Sequence, residues 1–132
     1  MTDIKPHFSF WVVAAIGLVW NLLGCLNFVA QTNPENVAQL PEAYQLIISN
    51  RPVWATIAFA VGVFGGAAGC LLMLLRRREA VLNFALSLVG IVVTSGSAAM
   101  QSGFGPSLLL SVLVGGALLW YATIARRKDW LR

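Results

Sequence analysis

The chain has 132 residues, of which 58% are hydrophobic and 11% charged, with nine basic and five acidic side chains and a net charge of +4; its mean hydropathy is +0.78. A surface bathed in water carries about 25% charged residues, so this composition excludes a soluble globule and makes lipid the solvent for most of the chain. Nor does the positive balance point to nucleic acid. The basic residues sit in two short runs, RRR at 76–78 and RRK at 126–128, each abutting an apolar stretch; that is the placement anionic head groups and cytoplasmic loops select, and no folded basic face is left over.

Apolar runs cover about 8–30, 53–75, 80–100 and 106–125, and none contains a charged residue. Each is about 20 or more residues long, enough at roughly 1.5 Å per residue for a helix to cross a hydrocarbon core of about 30 Å. Helix is the form expected, because lipid cannot satisfy exposed backbone groups and the runs lack the alternation of barrel strands.

The first run contains LLGC at 22–25, which reads either as the cleavage box of a bacterial lipoprotein signal or as the interior of a helix that is kept. The apolar pattern continues past Cys25 through LNFVA, and those residues are needed to reach the far face; a retained helix is therefore expected. Connection 31–52 is too long for a turn. NPE and LPEA read as helix starts, with Asn33 as a cap and Tyr44, Ile47 and Ile48 on one face, so a short helical segment along the interface is expected, as a cover over the bundle or as a gate.

The second span carries GVFGGAAGC, in which Gly62 and Gly66, and Gly65 and Gly69, are four residues apart. Small residues at that spacing let helix backbones approach closely, which in lipid replaces the hydrophobic drive available in water. Gly17, Asn21 and Gly24 form a comparable stripe on the first span, and Ser111 and Gly115 on the fourth. These stripes are expected to meet inside the bundle, the alternative being a contact with a second copy. All five prolines lie outside span interiors, and the links RRRE and QSGFG are short, implying antiparallel neighbours.

With both termini inside, eight of the nine basic residues are cytoplasmic and only Arg51 is external, which fixes the expected direction. Trp11, Trp120 and Tyr121 then fall near the inner interface, and Phe28, Trp54 and Phe104 near the outer one. Cys25 and Cys70 lie at depths about 15 Å apart in that arrangement, too far for a disulfide, which needs alpha carbons within about 7 Å.

No span holds a charged residue, the single histidine is His7 at the inner edge, and no His, Cys, Asp or Glu cluster has metal-ligand spacing. No serine has a base and an orienting third group in view. The expectation is therefore no catalytic residue, no metal and no cofactor; the lack of an intramembrane acid or histidine also argues against a proton-coupled pump.

What remains is uncharged polarity, concentrated in the outer half. Asn27, Thr56, Thr94, Ser95, Ser97 and Ser111 lie there, with Gln31, Gln101 and Ser107 at the mouth and Asn21 near mid-depth; Asn83, Ser87 and Thr123 lie further in. Asn21, Asn27, Thr94, Ser95, Ser97, Gln101 and Ser111 are thus the candidate lining of an outer vestibule able to hydrogen-bond a neutral hydroxylated ligand or a lipid head group. The alternative is that these groups bond one another or backbone carbonyls across helices, each bond contributing roughly 0.6 to 2 kcal/mol.

WNLLG in the first span, LPEAY in the connection and above all RPVWATIAFAVGVFGGAAGCLLMLLRRREAVLNFALSLVG resemble a group of small bacterial four-span membrane proteins commonly labelled "sugar transporter". The resemblance covers Trp20 to about Gly90 and implies no particular binding residue. The better understood small sugar carriers have three spans and a Pro-Gln pair, which does not occur here. Four helices with an interfacial segment after the first are also similar in plan to DoxX-like membrane proteins, an architectural likeness alone.

Together these readings describe an all-α protein of the bacterial inner membrane: one domain, an antiparallel four-helix bundle with a short interfacial segment between its first two spans and both ends cytoplasmic. Two functions are expected of it. One is binding or transport of a small uncharged solute such as a sugar; the other is a non-catalytic accessory role, its glycine faces docking onto a second copy or a larger membrane complex. Membrane lipids are partners in either case, and nucleic acid is not.

Overall fold

The computed structural model describes residues 5–103 and 105–131. Six helices follow in order: α1 (Phe8–Gln31), α2 (Pro34–Ala38), α3 (Glu42–Ser49), α4 (Val53–Leu74), α5 (Glu79–Ser102) and α6 (Pro106–Arg127). Of these, α1, α4, α5 and α6 are long and apolar enough to cross a membrane, so the chain is a multi-pass integral membrane protein built as a helical bundle. Phe104 and Arg132, and the side chain of Ser107, assigned above to the outer interface, the cytoplasm and the vestibule mouth, lie outside the described residues.

Local chemistry sets the helix ends. His7 caps α1, its ring Nδ1 accepting from the Ser9 amide at 3.1 Å. Asn33 caps α2 by accepting from the Glu35 amide at 3.0 Å, with Pro34 at the first helical position, where its missing N–H costs nothing. α4 and α6 both end in a left-handed residue that is not glycine. At Arg76 (φ 58°) the Arg77 amide donates to the Leu72 carbonyl and the Arg76 amide to that of Met73; at Asp129 (φ 58°) the Trp130 amide donates to Ala125 and the Asp129 amide to Arg126. Both are Schellman caps, which satisfy the last carbonyls of each helix. They lie side by side, joined by a 2.8 Å bond from Arg76 Nε to the Trp130 carbonyl.

The four long helices stand in a row, α1–α4–α5–α6, with the α4–α5 contact the most extensive. Glycines explain why. A Cβ on Gly90 of α5 would sit 2.5 Å from the Ala58 carbonyl oxygen and 2.9 Å from the Gly62 amide nitrogen, so here two backbones touch directly. Next to it, a Cβ on Gly62 would meet Ile91, one on Gly65 would rest against Ser87, and one on Gly69 would press into the Phe84 ring. The other side of α4 receives α1: Gly24 lies against Val63, and Gly66 leaves a notch filled by the Asn21 carboxamide. Gly115 of α6 meets Leu88 and Ile91 of α5. The polar and small stripes of α1 and α6 therefore pack chiefly against α4 and α5 in turn and not against each other; only Gly17, facing Leu118 and Cys70, joins the first helix to the last in this way.

The row curls closed at the end that bears the termini, called here the terminal end. Its core holds Phe10, Ala14, Cys70, Met73, Phe84 and Leu118, together with Ala122, Ala125 and Leu131 from the end of the chain. Phe10 packs edge-on against Trp11 and Trp130, and Ser9 Oγ lies 2.7 Å from Tyr121 Oη. Towards the opposite, distal end, α1 presents exposed Leu22, Leu23 and Leu26, and α6 exposed Leu109, Leu110 and Leu113, as lipid-facing helices do.

Candidate functional site

Polar groups crossing the bundle fall into two sets. In the first, each group is satisfied by a neighbour. Asn21, 5% exposed, donates to the Gly17 carbonyl at 2.7 Å and approaches Cys70 Sγ at 3.9 Å. Ser87 donates across the helix interface to the Gly62 carbonyl at 2.6 Å. Asn83 and Thr123 bond back to carbonyls of their own helices. Of these, the Ser87 bond and the Asn21–Cys70 approach cross between helices and the others stay within one, and no opening for a ligand is needed to account for them.

The second set is made of hydroxyls. Ser95 and Ser97 on the distal half of α5 are only 4% and 6% exposed, and neighbouring Thr94 is half-buried. No buried side-chain nitrogen or oxygen among the described residues lacks a hydrogen-bond partner. Helical Ser and Thr normally bond a carbonyl three or four residues back, as Thr32, Ser49 and Thr56 do here. Ser97 lies two turns beyond Gly90, on the face that meets α4, and Ser95 one turn beyond Ile91, which meets both Gly62 of α4 and Gly115 of α6. Ser111, half-buried on α6, lies one turn before Gly115 and so at the depth of Ser95.

Two clefts of about 390 Å³ each flank α3 at the distal end. One is lined by Ala43, Leu46, Ile47 and Asn50 together with Gln101 of α5, the only member of the seven candidate residues to reach either cleft. The other runs between the end of α1 and the α2–α3 segment and offers Gln31, Thr32, Gln45 and Ser49. None of the described residues that line them is charged. Asn27 is exposed and accepts from Gln31 Nε2 at 3.2 Å, so it joins the rim and not the hydroxyl patch.

Three features escaped sequence reasoning. Gly90 was legible only as one glycine in an apolar run, since its partner is a backbone about thirty positions away. His7 Nδ1 lies 3.0 Å from Ser9 Oγ, which in turn contacts Tyr121; this chain serves as a helix cap and an α1–α6 tie. Arg51 lies at the junction of α1 and α4, donating from Nε to Thr56 Oγ1 at 3.2 Å and from Nη2 to Gln31 Oε1 at 3.0 Å, with its guanidinium 5.2 Å from the centre of the Phe59 ring. Partial burial lowers its pKa from the ordinary guanidinium value.

Among the described residues, both cysteines are free and no group of three or more His, Cys, Asp or Glu side chains has metal-holding geometry. Comparison with known protein families, with curated proteins and with solved structures finds no match. The fold and its spans define an integral membrane protein of the helical-bundle class.

Proposed function

We propose that the chain is a bacterial inner-membrane protein, its termini cytoplasmic, that binds a small uncharged hydroxylated solute such as a sugar at its distal, outward-facing end and takes part in the solute's passage. The observation that supports this reading is the run of uncharged hydroxyls Thr94, Ser95 and Ser97 on the distal half of α5, at the end of the bundle that carries the two clefts. A ligand hydroxyl both donates and accepts, so neutral side-chain hydroxyls and amides at that end match it. Uncharged clefts beside α3 fit the same chemistry, and pockets of about 300 to 1,000 Å³ are the usual size for small-molecule sites. The resemblance of Trp20–Gly90 to small four-span proteins labelled as sugar transporters supports the solute class. Basic residues at the terminal end support the orientation.

The test is saturable binding of radiolabelled neutral hexoses and disaccharides to the purified protein in nanodiscs, followed by uptake into liposomes. Ser95→Ala and Ser97→Ala are each expected to weaken binding roughly three- to ten-fold, the loss of one modest hydrogen bond. Absence of saturable binding across the panel, or equal binding by both variants, overturns the reading.

A second reading, an accessory subunit or self-associating protein, is favoured by Gly96 and Gly116, over which no atom lies within 4 Å of a would-be Cβ. Outward-facing small residues of that kind admit another helix backbone. Native mass measurement from mild detergent separates the two: a foreign subunit or a tight homo-oligomer, lost on Gly116→Leu, favours the second.

A further inference from the structure

Arg51 breaks the charge pattern of the chain, since the other described basic residues lie at or near the terminal end and among them this one stands alone at the distal end, directly before α4. It is also not a freely solvated side chain. Gln31 and Thr56 fix the guanidinium edge, Asn27 steadies Gln31, and the Phe59 ring covers one guanidinium face. All four are neutral. Among the described residues no carboxylate forms an ion pair with it; the acids of this end, Glu35 and Glu42, are exposed on α2 and α3. A guanidinium has five N–H donors in a planar fork, of which the protein engages Nε–H and one on Nη2. The rest of the fork has no acceptor, and the charge no counter-ion, among the described residues.

Its depth defines what meets it. Arg51 adjoins Val53 and Trp54, both exposed to the surroundings at the start of a membrane span, with Trp the residue typical of the head-group level. At that level the anion present in quantity is phosphate. Planar donors match phosphate oxygens bidentately, and Pro52 places no side-chain cap over the first turn of α4, so the positive end of that helix adds to the same field. We propose that Arg51 is a phosphate-binding residue of the distal interface, pre-positioned by Gln31, Thr56 and Phe59. Its ligand is the phosphate group of an anionic phospholipid or, by the same chemistry, free phosphate. This site stands apart from the buried hydroxyls and does not depend on the solute reading.

Native mass spectrometry of the purified protein with phosphatidylglycerol is the test, run in parallel with thermal unfolding in inorganic phosphate. The wild-type chain is expected to retain phosphatidylglycerol adducts. Arg51→Gln should reduce them roughly ten-fold, the loss of a charge-assisted contact, while Arg51→Lys, which keeps the charge without the fork, falls between. A double variant Arg126→Gln/Arg127→Gln at the terminal end should keep the Arg51-dependent adduct. An Arg51-dependent rise in unfolding temperature with millimolar phosphate, without lipid adducts, assigns the site to the free anion instead. If lipid retention and phosphate protection in both Arg51 variants equal those of the wild type, the proposal is overturned.

Discussion

The terminal and distal halves of the bundle use the same four helices but hold them by different means. Near the termini, all four helices close around large side chains, Phe10, Met73 and Phe84, and the end of the chain folds back so that Leu131 joins the core. Towards α2 and α3, α4 meets α5 through the close approach of Gly62 and Gly90 and meets α1 through Gly24 and the Phe28, Phe59 and Phe64 rings, while α1 and α6 turn leucines outward. The lesson is that one bundle can be filled by large side chains at one end and held chiefly by close backbone approach towards the other.

Substitutions can break that contrast. The largest effect is expected at Phe84→Ala, which empties a site 1% exposed and should destabilise the protein by about 3 to 5 kcal/mol in a detergent unfolding titration. Gly90→Ala forces a methyl against the Ala58 carbonyl and should cost about 1 to 3 kcal/mol by the same measurement; a neutral result would mean that α4 and α5 separate freely. Tyr121→Phe removes the Ser9 tie between first and last helices and should cost about 1 kcal/mol. Asp129→Gly relieves a left-handed residue at the price of an exposed 3.7 Å ion pair to Arg78, and a net gain of up to about 1 kcal/mol is expected. Smallest of all, Ser97→Ala should change stability by less than about 0.5 kcal/mol while weakening solute binding. A large loss of stability there would return the hydroxyl to a packing role.

Much of this architecture was legible from hydropathy and punctuation. Uncharged runs bounded by RRR, RRK and proline mark the four crossings, because lipid leaves a chain no other economical form. Asn33 before Pro34 marks the start of α2, since capping chemistry is local. Features that depend on distant partners were not legible. Arg76 and Asp129 in left-handed caps look like ordinary loop residues, glycine being the usual signal. Trp130 and Leu131 follow a basic run with nothing local to mark burial, yet Leu131 is buried because the Schellman turn and the Arg76 bond lead the backbone inward. Of the candidate vestibule, composition gives the residue types; how each hydroxyl is placed depends on rotation of α5 against α4 and α6, information spread over three segments.

The order of helices in the row carries a consequence for synthesis. Each crossing segment lies against the one made just before it, with α4 on α1, α5 on α4 and α6 on α5. A nascent chain can therefore dock its segments as they leave the ribosome, without waiting for a distant strip of sequence. Only the final step, when Trp130 and Leu131 emerge and the last helix meets the first, draws the bundle shut like a drawstring pulled from one side.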